Sequence, residues 1–304
     1  MKYEIDVNYM KPKVVAEIGC NHKGDFELAK EMIKIAKVFC NADMVKFQKR
    51  TPKELLTEEE YNAPHPEPWN SYGKTYGEHR EFLEFSIEQH RELKKYAEDE
   101  FNIAYSSSAW DMTSLKELIE VVDPTVLKIP SAMSTNWEMH KYVCENFGGE
   151  VHISTGMTKK SEIEEIVRFY EDYNKNENIV LYHCTSGYPI DFCEVCLLEI
   201  ARLKKYYGDR VKSIGFSGHH KGIAIDIAAY TLGATWIERH FTLDRTWKGT
   251  DHAASLEPDG LRRLRRDLYA AHKALKFKEN DLLAVEEKQA KKLRWDRFIN
   301  FIKK

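Results

Sequence analysis

Apolar residues along this chain fall into short β-rich runs. Each run closes on a polar residue and a turn, and an amphipathic stretch follows. The runs lie at 14–19, 44–48, 102–107, 126–131, 151–155, 179–185, 213–217 and 235–241. Apolar positions recurring three and four residues apart mark helices at 26–39, 87–100, 113–121, 136–146, 160–173, 194–207, 222–232 and 258–275. Strands covered on both faces read as continuous apolar runs, and their alternation with helices implies a parallel sheet. Eight such repeats close a ring, so the pattern predicts a (β/α)8 TIM barrel. An open doubly wound sheet is the alternative, but residues 19–24 lack its glycine-rich fingerprint.

Two regions depart from the repeat. Residues 51–85 form a long insertion after the second strand, rich in Pro, Tyr, His and Trp. It is too long for a connector and is expected to lie over the catalytic face and shape the substrate pocket. Residues 279–304 form a charged tail, expected to be a solvated packing helix. The division is thus a barrel domain at 1–278 and a C-terminal helical extension at 279–304.

Composition narrows the class. A length of 304 residues suits one such barrel, and 42% hydrophobic with 31% charged residues is ordinary for a globular chain. A net charge of −3 points away from nucleic acid or an anionic membrane as partner. No apolar run approaches the ~20 residues of a membrane span, and residues 1–8 are too polar for a signal peptide. Cysteines at 20, 40, 144, 184, 193 and 196 are scattered, as expected of reduced thiols in the cytoplasm. Cys193 and Cys196 have ligand spacing, but no second pair completes a zinc site, so they read as plain thiols.

Barrels carry their chemistry at the C-terminal ends of the strands. Those ends present Glu17, Lys46 with Gln48, Ser107 with Ser108, Lys128 with Ser131, Ser154 with Thr155, His183 with Thr185 and Ser186, Ser217 with His219, and Glu238 with His240. Charges inside apolar strands need partners. Singly each suits a structural ion pair, whereas eight polar ends out of eight describe one ligand pocket. Two lysines with hydroxyls and Gly156 at a strand-to-helix turn suit a phosphate and a carboxylate. His219 and His240, on neighbouring strand ends beside Glu238 and Asp251, suit Mn2+, Zn2+ or Fe2+. An anionic phosphorylated substrate, a carbonyl-polarising ion and proton-transferring carboxylates together suggest carbon–carbon bond formation.

Eight segments then resemble one family, the sialic acid (N-acetylneuraminate) synthases and their relatives. They are AEIGCNHKGD at 16–25, VKFQ at 45–48, LKIPS at 127–131, ISTGM at 153–157, HCTSGYP at 183–189, IGFSGH at 214–219, ERHFTLDR at 238–245 and DHAASL at 251–256. The resemblance implies a (β/α)8 enzyme that condenses phosphoenolpyruvate with an aldose, giving a 2-keto-3-deoxy sugar acid and phosphate. It implies a divalent ion, with Mn2+ expected and Mg2+ or Co2+ as alternatives, held by His219 and His240. Lys46, Ser108, Lys128, Ser131, Ser154 and Ser217 match the phosphoenolpyruvate-binding set. Glu17, Gln48 and Glu238 match the reacting centre, and Tyr188 and Asp251 match positions that touch the sugar. A homodimer is the family expectation.

Three features depart from the family. Gly218 stands where an Asp often precedes the first metal histidine, and His220 follows, so His220 is a second candidate ligand. Ala132-Met133 replace a Gly-Glu pair. The chain ends about where the family's antifreeze-like domain begins, so the expectation is a synthase without that cap. Two other functions compete: a Schiff-base aldolase using Lys46 or Lys128, and a non-catalytic sugar-phosphate-binding barrel. His183 and His22 read as core histidines or ligand contacts, and Asp244 with Arg245 as an ion pair or site residues.

Overall fold

The computed structural model describes residues 9–297. The elements that build its ring are β1 (Lys13–Gly19), α1 (Phe26–Val38), β2 (Met44–Lys49), α2 (Pro52–Leu55), α3 (Glu58–Asn62), α4 (Tyr76–Leu83), α5 (Ile87–Lys95) and β3 (Ala104–Ala109). There follow α6 (Met112–Glu117), β4 (Val126–Ile129), α7 (Trp137–Asn146), β5 (Glu150–Ser154), α8 (Lys160–Asp172), β6 (Ile179–His183) and α9 (Leu198–Tyr207). The chain continues with β7 (Ser213–Gly218), α10 (Ala224–Thr231), β8 (Trp236–His240), α11 (Pro258–Ala274) and α12 (Ala284–Leu293). The eight strands pair in sequence order, all parallel, and β8 closes on β1 with Lys13 opposite Trp236 and Glu17 opposite His240. The (β/α)8 barrel is therefore the fold.

Alternation along each strand sorts its residues. Outward positions such as Val14, Ala16, Val45, Phe47, Leu127, Ile153, Leu181 and Ile237 join the helices in one apolar shell. Inward positions start apolar at the N-terminal end, where Val15, Met44, Val126, Val180, Tyr182 and Trp236 plug the axis. Two residues further along β1, β2, β4 and β8, the inward positions are Glu17, Lys46, Lys128 and Glu238. The charged layer thus sits on an apolar one.

Strand 3 runs two residues later than the sequence pattern suggests. The preceding helix continues as a π-turn over Tyr96–Glu100, and Asn102 turns left-handed at φ 48°; Asn tolerates that conformation. This puts Ser106 and Ser108 on the inner face and Ser107 on the outer one.

The insertion after β2 is helical, carrying α2, α3 and α4, with a Thr57–Glu60 capping box starting α3. It docks on the β8–α11 loop: the Tyr72 hydroxyl donates to the Lys248 carbonyl (2.5 Å), and Gly249 N–H donates to Asn70 Oδ1 (3.2 Å). It flanks the barrel mouth, and none of its residues lines the catalytic cavity, contrary to the expected role in shaping the pocket. The tail differs as well. α12 is solvated as expected but buries none of its residues, so it is no packing helix; its Lys and Glu positions leave no apolar stripe to dock. Residues 298–304 of that tail, like residues 1–8, lie outside the described residues. No helix among the described residues is long and apolar enough to cross a membrane, and all six cysteines are free thiols.

Candidate active site

The C-terminal strand ends enclose a cavity of about 350 Å3. Glu17, Lys46, Gln48, Ser108, Lys128, Ser131, Ser154, Tyr188, Ser217, His219, Glu238 and His240 all line it. Asp251 stands just beyond, its Oδ2 3.7 Å from His240 Nδ1. A larger cavity of about 610 Å3 lies at the opposite end, lined by Lys13, Asp43, Glu150, Lys212 and Trp236 among others. Strand beginnings of a barrel serve stability, so the smaller cavity is the chemical one.

Its floor is a buried set of two ammonium groups and two carboxylates. Lys46 Nζ lies 2.5 Å from Glu17 Oε2 and 3.6 Å from Glu238 Oε1. Lys128 Nζ lies 3.2 Å from Glu238 Oε2. Lys46 also donates to Ser108 Oγ (3.1 Å), and Ser217 Oγ donates to Glu238 Oε1 (3.2 Å). Burial opposes the Lys46 ammonium, yet Glu17 and Glu238 outweigh it and raise its pKa. At Lys128 burial wins over its partner Glu238, repulsion from Lys46 adds to it, and the pKa falls. Burial would raise Glu238, but Lys128 and Lys46 pull it well below the ordinary carboxylate value.

Gln48 fixes Glu17 from the side. Its Nε2 donates to Glu17 Oε1 (2.7 Å), and its own oxygen accepts from Arg50 Nη2. Arg50 is buried against the Trp110 ring and pairs with Glu84 at 3.5 Å. Gly19, at φ +54°, permits this approach: a Cβ there would meet Gln48 Nε2 at 3.0 Å and Glu17 Oε1 at 3.2 Å. Across the cavity, a Cβ on Gly156 would stand 2.5 Å from Ser186 Oγ, 2.7 Å from Ser131 Oγ and 2.8 Å from Cys184 Sγ. That hydroxyl-lined hollow beside Ser154 has the donors an anion needs.

The two imidazoles form the far wall. Their ring centroids are 5.7 Å apart, and Tyr188 lies over His219 at 4.2 Å and edge-on to His240 at 5.7 Å. Burial, with His240 adding to it, lowers the His219 pKa to about 3, so its ring is neutral. Its Nδ1 bonds to the Thr185 carbonyl (2.8 Å), which places the proton there and leaves the Nε2 lone pair free. His240 Nδ1 is buried with no hydrogen-bond partner. This donor pair fits a divalent ion. Among the described residues no group of three or more His, Cys, Asp or Glu side chains is placed to hold one, so further ligands would come from substrate or water.

His220 points away from the cavity and does not act as the second candidate ligand. It is fully buried, stacks on Phe216, and its Nε2 lies 3.1 Å from Arg239 Nη1. Gly218 makes that possible, because a Cβ there would meet the His220 ring at 2.8 Å. His183 bonds the Val195 carbonyl (2.6 Å) and His22 stacks on Phe85 at 4.1 Å, so both serve packing. Asp244 accepts from Thr246 while Arg245 reaches the Ala253 carbonyl, so the two do not pair with each other. Ser186, one of the polar strand-end residues, lines the cavity as well, together with Trp110, Pro130, Ala132, Met157 and Cys184. Most are apolar or follow a strand end by a residue or more, where the strand pattern carries no signal.

With this geometry in hand, similarity to known proteins becomes specific. The NeuB family profile matches residues 32–280. The chain is 39% identical over 273 residues to the N-acetylneuraminate-9-phosphate synthase of Homo sapiens, covering 90% of this chain and 74% of that one. It is 37% identical over 267 residues to the N,N'-diacetyllegionaminic acid synthase of Campylobacter jejuni, covering 87% and 78%. The crystal structure of N-acetylneuraminic acid synthetase from Leptospira borgpetersenii superposes with a TM-score of 0.78 at 28% identity, covering 96% of both chains. This chain belongs to the NeuB family, the sialic acid synthases and their relatives.

Proposed function

We propose that this enzyme joins phosphoenolpyruvate, an aldose and water into a 2-keto-3-deoxy sugar acid and inorganic phosphate. The observation that carries the reading is one cavity with two buried ammonium groups on its floor and, on its far wall, the unpartnered Nδ1 of His240 beside a His219 whose Nδ1 is engaged by the Thr185 carbonyl. Such a pocket separates the charge of an anionic enol from the site of an electrophile. Lys46 and Lys128 offset the phosphate and carboxylate, and Ser131, Ser154 and Ser186 around Gly156 donate to phosphate oxygens. Tyr188 and Asp251 face the acceptor.

C3 of phosphoenolpyruvate attacks the aldehyde carbon, whose oxygen takes the electron pair and a proton, leaving positive charge at C2. Glu17 lies on the side that stabilises this cation and then takes a proton from the water that adds at C2. The tetrahedral carbon expels phosphate by C–O cleavage, and loss of its hydroxyl proton leaves the ketone. Gln48 holds Glu17 in one orientation throughout. A divalent ion held by His219 and His240 would supply Lewis acidity toward the aldehyde oxygen; Mn2+ is the ion proposed.

One observation favours the Schiff-base reading, the lowered pKa of Lys128. The ion pair with Glu238 favours the charged form of that amine and supports the enol chemistry instead. The test is a phosphate-release screen with phosphoenolpyruvate, Mn2+ and a panel of aldoses, with the product mass measured. Release that requires both an aldose and the ion supports the proposal. Borohydride trapping on lysine without any ion would replace it.

A further inference from the structure

Beneath the charged floor, two polar side chains cross the apolar plug of the barrel, His152 from β5 and Tyr182 from β6, both fully buried. His152 Nε2 lies 2.8 Å from Glu150 Oε1, and its Nδ1 lies 2.9 Å from the Tyr182 hydroxyl. Burial outweighs the pull of Glu150 and lowers His152 to about 4, so the imidazole is neutral. Burial would raise Glu150, but His152 and Lys212 hold it at about 2, so it is a carboxylate. A carboxylate only accepts, which puts the imidazole proton on Nε2 and makes the Tyr182 hydroxyl a donor to Nδ1. The upper face of the same tyrosine ring carries the Lys128 ammonium, 3.5 Å from the ring centroid. Gly215 leaves room for the ring, since a Cβ there would come within 2.7 Å of it.

An apolar plug needs no such chain. A phenylalanine and a leucine would fill it without burying two polar groups, whose desolvation must be offset by hydrogen bonds. What the chain adds is an electron-rich ring at a fixed height under an ammonium group. Donation from the hydroxyl to a neutral imidazole increases the electron density of the ring, and a desolvated cation over such a face is held strongly.

We propose that Glu150, His152 and Tyr182 form a pillar that positions the Lys128 ammonium for phosphoenolpyruvate, with Tyr182 as a positioning residue. This rests on the role given to Lys128 above. Lys128 would otherwise be drawn wholly toward Glu238; the ring holds it at the cavity floor.

The experiment is calorimetric titration of the full chain with phosphoenolpyruvate, which needs no acceptor. Tyr182→Phe keeps the ring and is expected to weaken binding about threefold, and Tyr182→Leu about 10- to 30-fold. Mono-, di- and trifluorinated phenylalanine at position 182 keep the ring's shape while draining its face. Binding is expected to weaken stepwise with fluorine count at constant thermal midpoint, and this series decides the matter even if Tyr182→Leu does not fold. In a Lys128→Met background the fluorine dependence should vanish. Fluorinated proteins that bind as tightly as Tyr182→Phe would overturn the pillar while leaving Lys128 in its role. Wild-type affinity in Lys128→Met itself would instead remove Lys128 from the site, and the pillar with it.

Discussion

Glu238 Oε2 lies 3.2 Å from Lys128 Nζ at the buried floor of the cavity, while its other oxygen faces Lys46 at 3.6 Å. One carboxylate therefore serves two cations. Removing its charge leaves Lys128 without its carboxylate partner while Lys46 keeps Glu17, and breaking a buried pair typically costs about 3–5 kcal/mol. Glu238→Gln should lower the unfolding free energy by that order in denaturant titration. The folded pKa of Glu238 is depressed, so its contribution is complete above the unfolded value near 4.5 and fades as pH falls below it. The gap between wild type and Glu238→Gln should accordingly narrow in acid. A gap that widens there would contradict the ion-pair role.

Glu17 is held by Gln48 and lies beside Lys46 on the cavity floor. Glu17→Gln should reduce kcat for phosphate release about 10²- to 10⁴-fold, the usual range for a general base. Full turnover in that variant would show that another group accepts the proton.

His219→Ala and His240→Ala should each abolish ion-dependent phosphate release and weaken Mn2+ binding measured directly on the protein alone. Because Thr185 already orients His219, a Thr185 side-chain substitution should leave Mn2+ affinity unchanged; the bond uses the backbone carbonyl.

Gly156→Ala places a methyl group among Ser131, Ser186 and Cys184. The serines can rotate away, so folding should survive while the hollow closes. The expected result is a phosphoenolpyruvate KM raised about tenfold or more with little change in the acceptor KM, since one good charge-assisted hydrogen bond is worth about 1.5–3 kcal/mol. An unchanged KM would move the phosphate elsewhere in the cavity.

The chain's polar strand ends were readable because parallel strands in a ring aim every second residue inward and all C-termini at one mouth. That geometry brings Glu17, Lys46, Lys128 and Glu238 together without any knowledge of loops. His220 shows where the same reasoning stops. In sequence it stands beside His219 as a second candidate ligand, and the alternation at the end of β7 and the space over Gly218 turn it toward Phe216 and Arg239. Tyr182 and His152 were hidden differently: both are ordinary strand residues, and their meaning lies in what stands above and below them. The insertion misled because length over a barrel mouth suggests a wall of the substrate pocket, while its Asn70 and Tyr72 bond sideways to Gly249 and Lys248. The tail misled because helical periodicity says nothing about whether a surface exists to receive it.

The charges of Glu17, Lys46, Lys128 and Glu238 sum to zero, and the nearby His219 is neutral. An anion entering among them is met by the two ammonium groups, yet it leaves the site as a whole with net negative charge. A divalent cation at the imidazole wall would offset part of that charge, so each ion favours the other's entry. Such coupling is reciprocal by thermodynamic necessity: whatever factor the anion adds to cation affinity, the cation returns to the anion. Each ion still binds by itself, but the two together bind more tightly than either does separately.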